Sequence, residues 1–391
     1  MLIELHLLQN FAPSCLNRDD TNSPKDCEFG GVRRARISSQ CIKRAIRTYF
    51  KDLLLLLPEN LAKRTVLLVD LIKEGLTQAG KDPAMARQMA EAVAKGWSLG
   101  LKKEKTEHLL FLGTQEVASL IRSCEAHWDT LSQMDFSQPE EGAEAEGGQS
   151  RKDRKKAGKA AMPVEFNKTV EEVLDGGKAV DIALFGRMLA NLPKKNIDAA
   201  CQVAHAISTN KISMEFDYYT AVDDLQPPDK TGAEYLGTAQ FNSACFYRYA
   251  NIHFGQLTQN LGNDVVLARK SVEAFLRAAV AAIPTGKQNS MAAHNPPSLV
   301  FAVVRDQGLW SLANAFVNPL RPDGKKGLVE KSITALEEYW TRLAAAYGEA
   351  GIQAKPVLVV DGELGKLKES QVPSLEALIQ TVMAALPGDQ P

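Results

Sequence analysis

Residues 30–51 read GGVRRARISSQCIKRAIRTYFK. Ser38 or Ser39 is placed to cap a helix in which Ile42, Ile46 and Tyr49 recur at helical spacing, so one stripe of that helix faces a core. On the other side Gln40, Lys43, Arg44 and Arg47 fall at steps of three and four and project together from its first turns. From Arg33 to Lys51 the stretch carries Arg33, Arg34, Arg36, Lys43, Arg44, Arg47 and Lys51 with no Asp or Glu, in a chain whose net charge is only -1. Solvated helices usually interleave Glu with Lys, and an all-positive face repels itself unless an anion neutralises it. Two serine hydroxyls and the free backbone N–H groups at the positive end of the helix dipole make phosphate the fitting anion. A plain solvated surface is the other reading that composition allows.

Upstream, LIELHLL puts Ile3, Leu5 and Leu7 on one face and Glu4 and His6 on the other, the period of a half-buried strand. A loop is expected from Asn10 to Gly31. Downstream, residues 60–135 read mostly helical, and then PEEGAEAEGGQSRKDRKKAGKAA, beginning at Pro139, offers almost no large apolar side chain and reads as a flexible loop. Helices are expected over Val180–Leu192 and Ile197–Ile207. The runs ISMEFDYYTAVDD and FNSACFYRYANIHF then read as a long hairpin with a projecting tip. A helix from Val265 to Ala282, a Gly-containing loop PTGKQNS, the strand SLVFAVV, a helix from Leu328 to Tyr347, the apolar run PVLVV and a helix near Leu375 to Leu386 complete the chain. With the helical insertion set aside, the order is βαββαβ, an α+β fold of the ferredoxin-like or RNA-recognition-motif kind.

Composition agrees with a globular chain: 391 residues, 45% hydrophobic and 24% charged, suffice for two or three units or one domain with a large insertion. Cys15, Cys27, Cys41, Cys124, Cys201 and Cys245 form no CxxC pair, which suits reduced thiols in a cytoplasm. MLIELHLLQNF has no basic n-region, and the run Leu53–Leu57 ends at Pro58, too short to cross a bilayer. The expected localisation is cytoplasmic, with no membrane partner.

Catalytic signatures are weak. Cys201 and His205 stand four apart on the expected helix, half of a zinc site with no second pair to complete it. Asp19–Asp20 and Asp223–Asp224 could hold a divalent ion or act as acid and base, although loop acids more often cap turns. GTQEV at Gly113 and LGTAQ at Leu236 read as turns, and there is no GxxxxGK[ST], GxSxG or HExxH. No cofactor, no metal and no catalytic residue is expected.

The segments SCLNRDDTNSPKDCEFGGVRRARISSQCIKRAIR, DIALFGRMLA, YYTAVDDL, LGTAQFNSACFYRYANI and ANAFVNPL together resemble the CasC family, the backbone subunit of the type I-E CRISPR complex Cascade. The resemblance runs in order from Ser14 to the C-terminal helix and weakens between about Leu53 and Pro163. It implies a right-hand architecture: a split ferredoxin-like palm (residues 1–57 and 256–391), a large helical finger insertion (58–180, with the flexible loop at 137–163), base helices for palm and thumb (181–207) and a β-hairpin thumb (208–255). It also implies a non-catalytic scaffold whose copies stack head to tail in a helical filament along a CRISPR RNA. The other partners it implies are the large, small, guide-capping and repeat-processing subunits, target DNA and a recruited helicase-nuclease.

By motif, the resemblance assigns guide-backbone contacts to Arg18, Lys25, Arg34, Ser38, Ser39, Gln40, Lys43, Arg44 and Arg47, contacts that are blind to sequence. It puts Tyr219 at an aromatic wedge beside Thr220, Met188 against a displaced base, and Lys287 and Gln288 in a loop near the RNA. Arg151, Lys152, Lys155, Lys156 and Lys159 are the candidates for target DNA. A rival reading, a metal-dependent endoribonuclease like the backbone subunits of type III complexes, would depend on Asp19 or Asp20.

Overall fold

The computed structural model describes residues 1–52, 55–97, 99–102, 105–133, 172–189, 192–221, 224–225 and 235–388. Pro139–Ala161, with Arg151, Lys152, Lys155, Lys156 and Lys159, lies outside the described residues. The chain divides into two units, one of Met1–Leu54, Cys201–Gly255 and Arg269–Pro391, the other of Leu55–Ala200 and Gln256–Ala268.

The first unit is mixed α/β and opens with strands β1 (Leu2–Ser14), β2 (Asp26–Phe29) and β3 (Val32–Ile37) and helix α1 (Ser39–Tyr49). β1 runs between strands Tyr235–His253 and Leu299–Arg305, antiparallel to both, with Leu5 opposite Ala250 and Ala302. Across the sheet the order is Ile352–Ala354, Leu299–Arg305, β1, Tyr235–His253, Ala206–Ser208, β3, β2. Below it, Leu8, Tyr247, Phe301 and Val303 pack on Ile333, Leu336 and Trp340 of helix Leu328–Tyr347. The Trp340 ring meets Phe301 edge-on at 4.9 Å. Side chains of this size, fully buried, each contribute about 1.5–3 kcal/mol.

The alternation in β1 misleads. Both of its faces are covered, so Glu4 and His6 are buried rather than solvated. Most of their polarity is met internally, although His6 Nε2, 3.5 Å from Glu4 Oε2, makes no hydrogen bond. Glu4 accepts from Arg305 Nη1 at 3.2 Å and from the Trp310 N–H at 3.0 Å. The Tyr247 hydroxyl accepts the Leu312 N–H at 2.8 Å and shares a second hydrogen bond, also 2.8 Å, with His6 Nδ1. Burial pushes the His6 imidazole below its ordinary value, so it stays neutral.

The expected loop from Asn10 to Gly31 is shorter, because β1 continues to Ser14 and β2 pairs with β3 around a turn at Gly30 and Gly31, both at positive φ. The expected helix over Ile197–Ile207 is absent. Cys201–Val203 and Ala206–Ser208 are strands paired to Tyr235–His253, since a buried sheet edge offers this Ala-, Val- and Ile-bearing run a hydrogen-bonding partner that outweighs local propensity. Helix Val180–Phe185 stops well before Leu192 at Gly186, whose φ is 78°.

Strand Tyr235–His253 is 19 residues long and serves two structures. Its second half pairs with β1, while its first half pairs with Glu215–Ala221 in the projecting hairpin, with Tyr219 opposite Gly237.

The second unit packs helices Leu68–Gln78, Pro83–Gly96 and Thr114–Ala126 around Leu68, Ile72, Leu76, Met89, Val93 and Leu120. GTQEV is not a turn but the start of the third of these helices. Glu116 accepts the Gly113 N–H at 2.7 Å, the glutamate half of a capping box. The same buried carboxylate takes the Gly176 N–H and pairs with buried Arg187 at 2.7 Å.

Candidate nucleic-acid interface

The start of α1 is built from three chain segments. Ser38 is the cap, its side chain accepting the Cys41 N–H at 3.3 Å. Its own N–H donates to Asn17 Oδ1 at 2.8 Å, which clips the loop after β1 to the helix. The Ser39 N–H donates to His205 Nδ1 at 3.2 Å, bringing in the link between strands Cys201–Val203 and Ala206–Ser208. No acid occupies the first turn, and Ile42 and Ile46 hold the helix on the core while Gln40 and Arg44 are exposed. Tyr49 is only half-buried; Phe50 completes the apolar stripe.

The loop carrying Arg18 and Lys25 is stapled by Asp19. Its Oδ1 accepts from the Thr21 N–H, the Thr21 hydroxyl and the Ser23 N–H at 2.8–2.9 Å. Those bonds, the Thr21 hydroxyl first, hold the Asp19 carboxyl below the usual carboxylate range. Arg18 Nη1 reaches Asn22 Oδ1 at 3.0 Å, and the Lys25 N–H returns to the Asn17 carbonyl at 2.9 Å.

PTGKQ closes on the same loop. A Cβ at Gly286 would collide with the carbonyl oxygens of Leu16 and Cys15, so only glycine permits that approach. Lys287 follows in the left-handed region at φ 52°.

Three thiols register how these cations converge. Burial raises Cys15 against the pull of Arg18 and Lys287, and raises Cys41 against Lys25 and Arg44. Cys201 is pushed up to about 12 by burial against Lys43. Arg18 and Lys287 thus lie near Cys15, Lys25 and Arg44 near Cys41, and Lys43 near Cys201, where the loop after β1 meets α1 and Gly286 packs on Cys15 and Leu16.

Several expected contacts leave this set. Arg34 is buried, and its guanidinium is spent on the carbonyls of Phe29, Ser208, Thr209, Phe316 and Val317 at 2.7–3.2 Å, so it ties the sheet together instead of reaching a phosphate. Arg33 pairs with the Asp26 carboxylate at 2.8 Å, so the positive charge of this stretch is partly compensated, and Arg36 donates to the Asp26 backbone carbonyl. Gln288 gives its amide N–H groups to the Pro284 and Ala293 carbonyls, and its Oε1 is buried; it shapes the loop. Cys201 and His205 do not share a helix, and among the described residues no group of three His, Cys, Asp or Glu could hold a metal ion.

On the hairpin, Glu215–Ala221 is exposed throughout, including Thr220. Tyr219 is 43% exposed and is no core residue; its ring lies across Gly237, where an added Cβ would come within 2.5 Å of Cζ. Phe216 and Tyr218 lie on the other face with Thr220. In the second unit, Met188 is 81% exposed at the edge of a 310 Å³ apolar pocket shared with Trp97, Leu99, Leu109, Leu174 and Leu189. Sequence reasoning missed His205 as part of the α1 start and Glu116–Arg187 as a buried pair. The first has no sequence signal, whereas Glu three residues after the Gly113 cap supplies the glutamate half of a capping-box pattern. Among the described residues no helix is long and apolar enough to cross a membrane.

Two solved structures are similar over the whole chain. One, a chain of a "CRISPR RNA-guided surveillance complex, pre-nicking", is 30% identical with a TM-score of 0.83, covering 98% of this chain and 100% of that one. Another, from a "CRISPR RNA-guided surveillance complex", is 26% identical with a TM-score of 0.74, covering 99% and 100%. A search of curated proteins gives no significant match. The sequence profile of the Cas family described as CT1975-like protein matches residues 3–384, which bears out the CRISPR resemblance read from the sequence, and the chain belongs to that family.

Proposed function

We propose that the chain is a non-catalytic CRISPR RNA-binding scaffold that polymerises along the guide as the backbone of a type I-E Cascade complex and presents the spacer for pairing with target DNA. The observation that carries this reading is that the segments bearing Arg18 and Lys25, Lys43 and Arg44, and Lys287 meet near the start of α1, where Ser38 bonds Asn17 and Gly286 packs on Cys15 and Leu16. These groups come from three separated segments and suit phosphates, not bases, as a scaffold for any spacer requires. Full-length similarity to chains of RNA-guided surveillance complexes supports the partner.

In this reading the sheet unit is a ferredoxin-like palm, the second unit the fingers and the hairpin the thumb. The order Leu299–Arg305, β1, Tyr235–His253, Ala206–Ser208 supports the palm, because it is the 4-1-3-2 order of that fold. Tyr219 is the wedge that one copy's thumb pushes against RNA held by the next, and Met188 is the apolar partner of the displaced base. Arg151, Lys152, Lys155, Lys156 and Lys159 face target DNA. The complex works in the cytoplasm with the other Cascade subunits and a recruited helicase-nuclease.

Asp19 argues against the endoribonuclease reading, since its carboxylate is committed to three loop hydrogen bonds and its depressed pKa makes it a poor base. The test is to co-express the full chain with a repeat-spacer transcript, digest with ribonuclease, and recover the protected RNA. A protected guide that stays intact, and leaves complementary RNA uncut in Mg²⁺, is expected. No recovered RNA, or regularly spaced cuts in the complement, would overturn the proposal.

A further inference from the structure

His205 sits in the two-residue link between strands Cys201–Val203 and Ala206–Ser208, both anchored to Tyr235–His253, so its position is set by the sheet. Its Nδ1 is 3.2 Å from the Ser39 N and 3.4 Å from Arg36 Nη1. A backbone N–H and a guanidinium can only donate, so Nδ1 is the acceptor and the proton of the neutral ring is on Nε2. The side chain is exposed, and Nε2 has no partner among the described residues. Partial desolvation first, then the charges of Arg36 and Lys25, lower the imidazole from its ordinary value. The ring therefore meets its surroundings as a neutral donor in a neighbourhood of donors and cations, and the ligand chemistry that satisfies all of them together is a phosphate oxygen.

We propose that His205 contacts the RNA backbone, holding the Ser39 N–H with Nδ1 and donating Nε2–H to a phosphodiester oxygen. This rests on the reading of the α1 start as an RNA-binding surface. It assigns His205 a contact of a different kind from the lysines and arginines beside it. A neutral donor adds affinity without displacing a counterion, so it leaves the salt dependence of binding unchanged.

Asn and Gln separate the two nitrogens. In His205→Asn the side-chain oxygen takes the place of Nδ1 and can still receive the Ser39 N–H, but nothing replaces the outward donor. In His205→Gln the longer side chain carries an amide N–H to the place of Nε2. Binding of the full chain to a labelled mixed-sequence single-stranded RNA is measured across a NaCl series, alongside melting of the RNA-free protein. His205→Asn is expected to weaken binding about ten-fold, the scale of one hydrogen bond to a charged group, with the parent's salt slope and melting temperature, and His205→Gln to recover most of the loss. Parent-like binding by His205→Asn, a changed salt slope, a lowered melting temperature, or failure of His205→Gln to recover would overturn the assignment and leave the RNA reading standing. A parent that binds no RNA would sink both.

Discussion

Replacing Lys43 and Arg47 together by Ala perturbs the proposed interface while leaving its scaffold in place. Both side chains are half-buried on the flank of α1, each next to Ile42 or Ile46, which are 5% and 1% exposed and keep the helix seated. Alanine is also the best helix former, so the RNA-free melting temperature should move little. The effect on RNA binding can be worked out. Each phosphate neutralised on a single strand contributes about 0.7 to the slope of log affinity against log salt, so two lost contacts make the dependence shallower by about 1.4. The gap between parent and variant should therefore narrow roughly five-fold between 0.1 and 0.3 M NaCl, while the variant binds more weakly at both. Equilibrium titration with a labelled single strand reads this directly. An unchanged slope would refute the placement of these side chains on phosphates, whatever the affinity did.

Tyr219→Ala should leave the free subunit's melting almost unchanged, because the ring is 43% exposed, yet weaken RNA-dependent assembly on the scale of about 1–3 kcal/mol per stacked base; Tyr219→Phe should be nearly silent in both assays. Normal assembly by the Ala variant would remove the wedge role. Arg34→Ala should destabilise the RNA-free protein by about 3 kcal/mol or more in denaturant titration, since five carbonyls lose their donor together; a neutral effect would return Arg34 to the surface set. Acidification should also destabilise it. The folded pKa of His6 lies below its unfolded value, so the unfolded chain binds the extra proton, and the stability present above the ordinary histidine pKa is lost as pH falls below about 6.5. His6→Gln should flatten that part of the profile, and an identical acid limb would show that other groups govern it.

Much of the fold follows from local pattern. Leu328–Tyr347 is a helix over the expected residues, and the hairpin, the strand at 299–305 and helix Val265–Ala281 lie where periodicity puts them. The failures share one cause, which is partners brought from afar. Glu4 and His6 read as a solvent face until Arg305 and Tyr247 arrive from far along the chain to bond Glu4 and His6 Nδ1. Residues 201–208 read as a helix until the long strand offers them a ladder. In the candidate site, Ser38, Lys43 and Arg44 were legible because helical spacing gathers them locally. Arg34 was misassigned because charge alone does not distinguish a side chain that neutralises phosphate from one that binds five carbonyls in the core. His205 was invisible for the complementary reason: only its hydrogen bond with the Ser39 N–H, from a segment far along the chain, brings it to the start of α1.

The central claim is that copies of this chain line an RNA at regular intervals. Multi-angle light scattering of the full chain, purified with guide transcripts whose spacers differ in length, measures it most directly. The account predicts a mass that rises in equal steps of one protein chain per fixed increment of RNA, with the protein free of RNA remaining small. A single chain per RNA at every spacer length would contradict it.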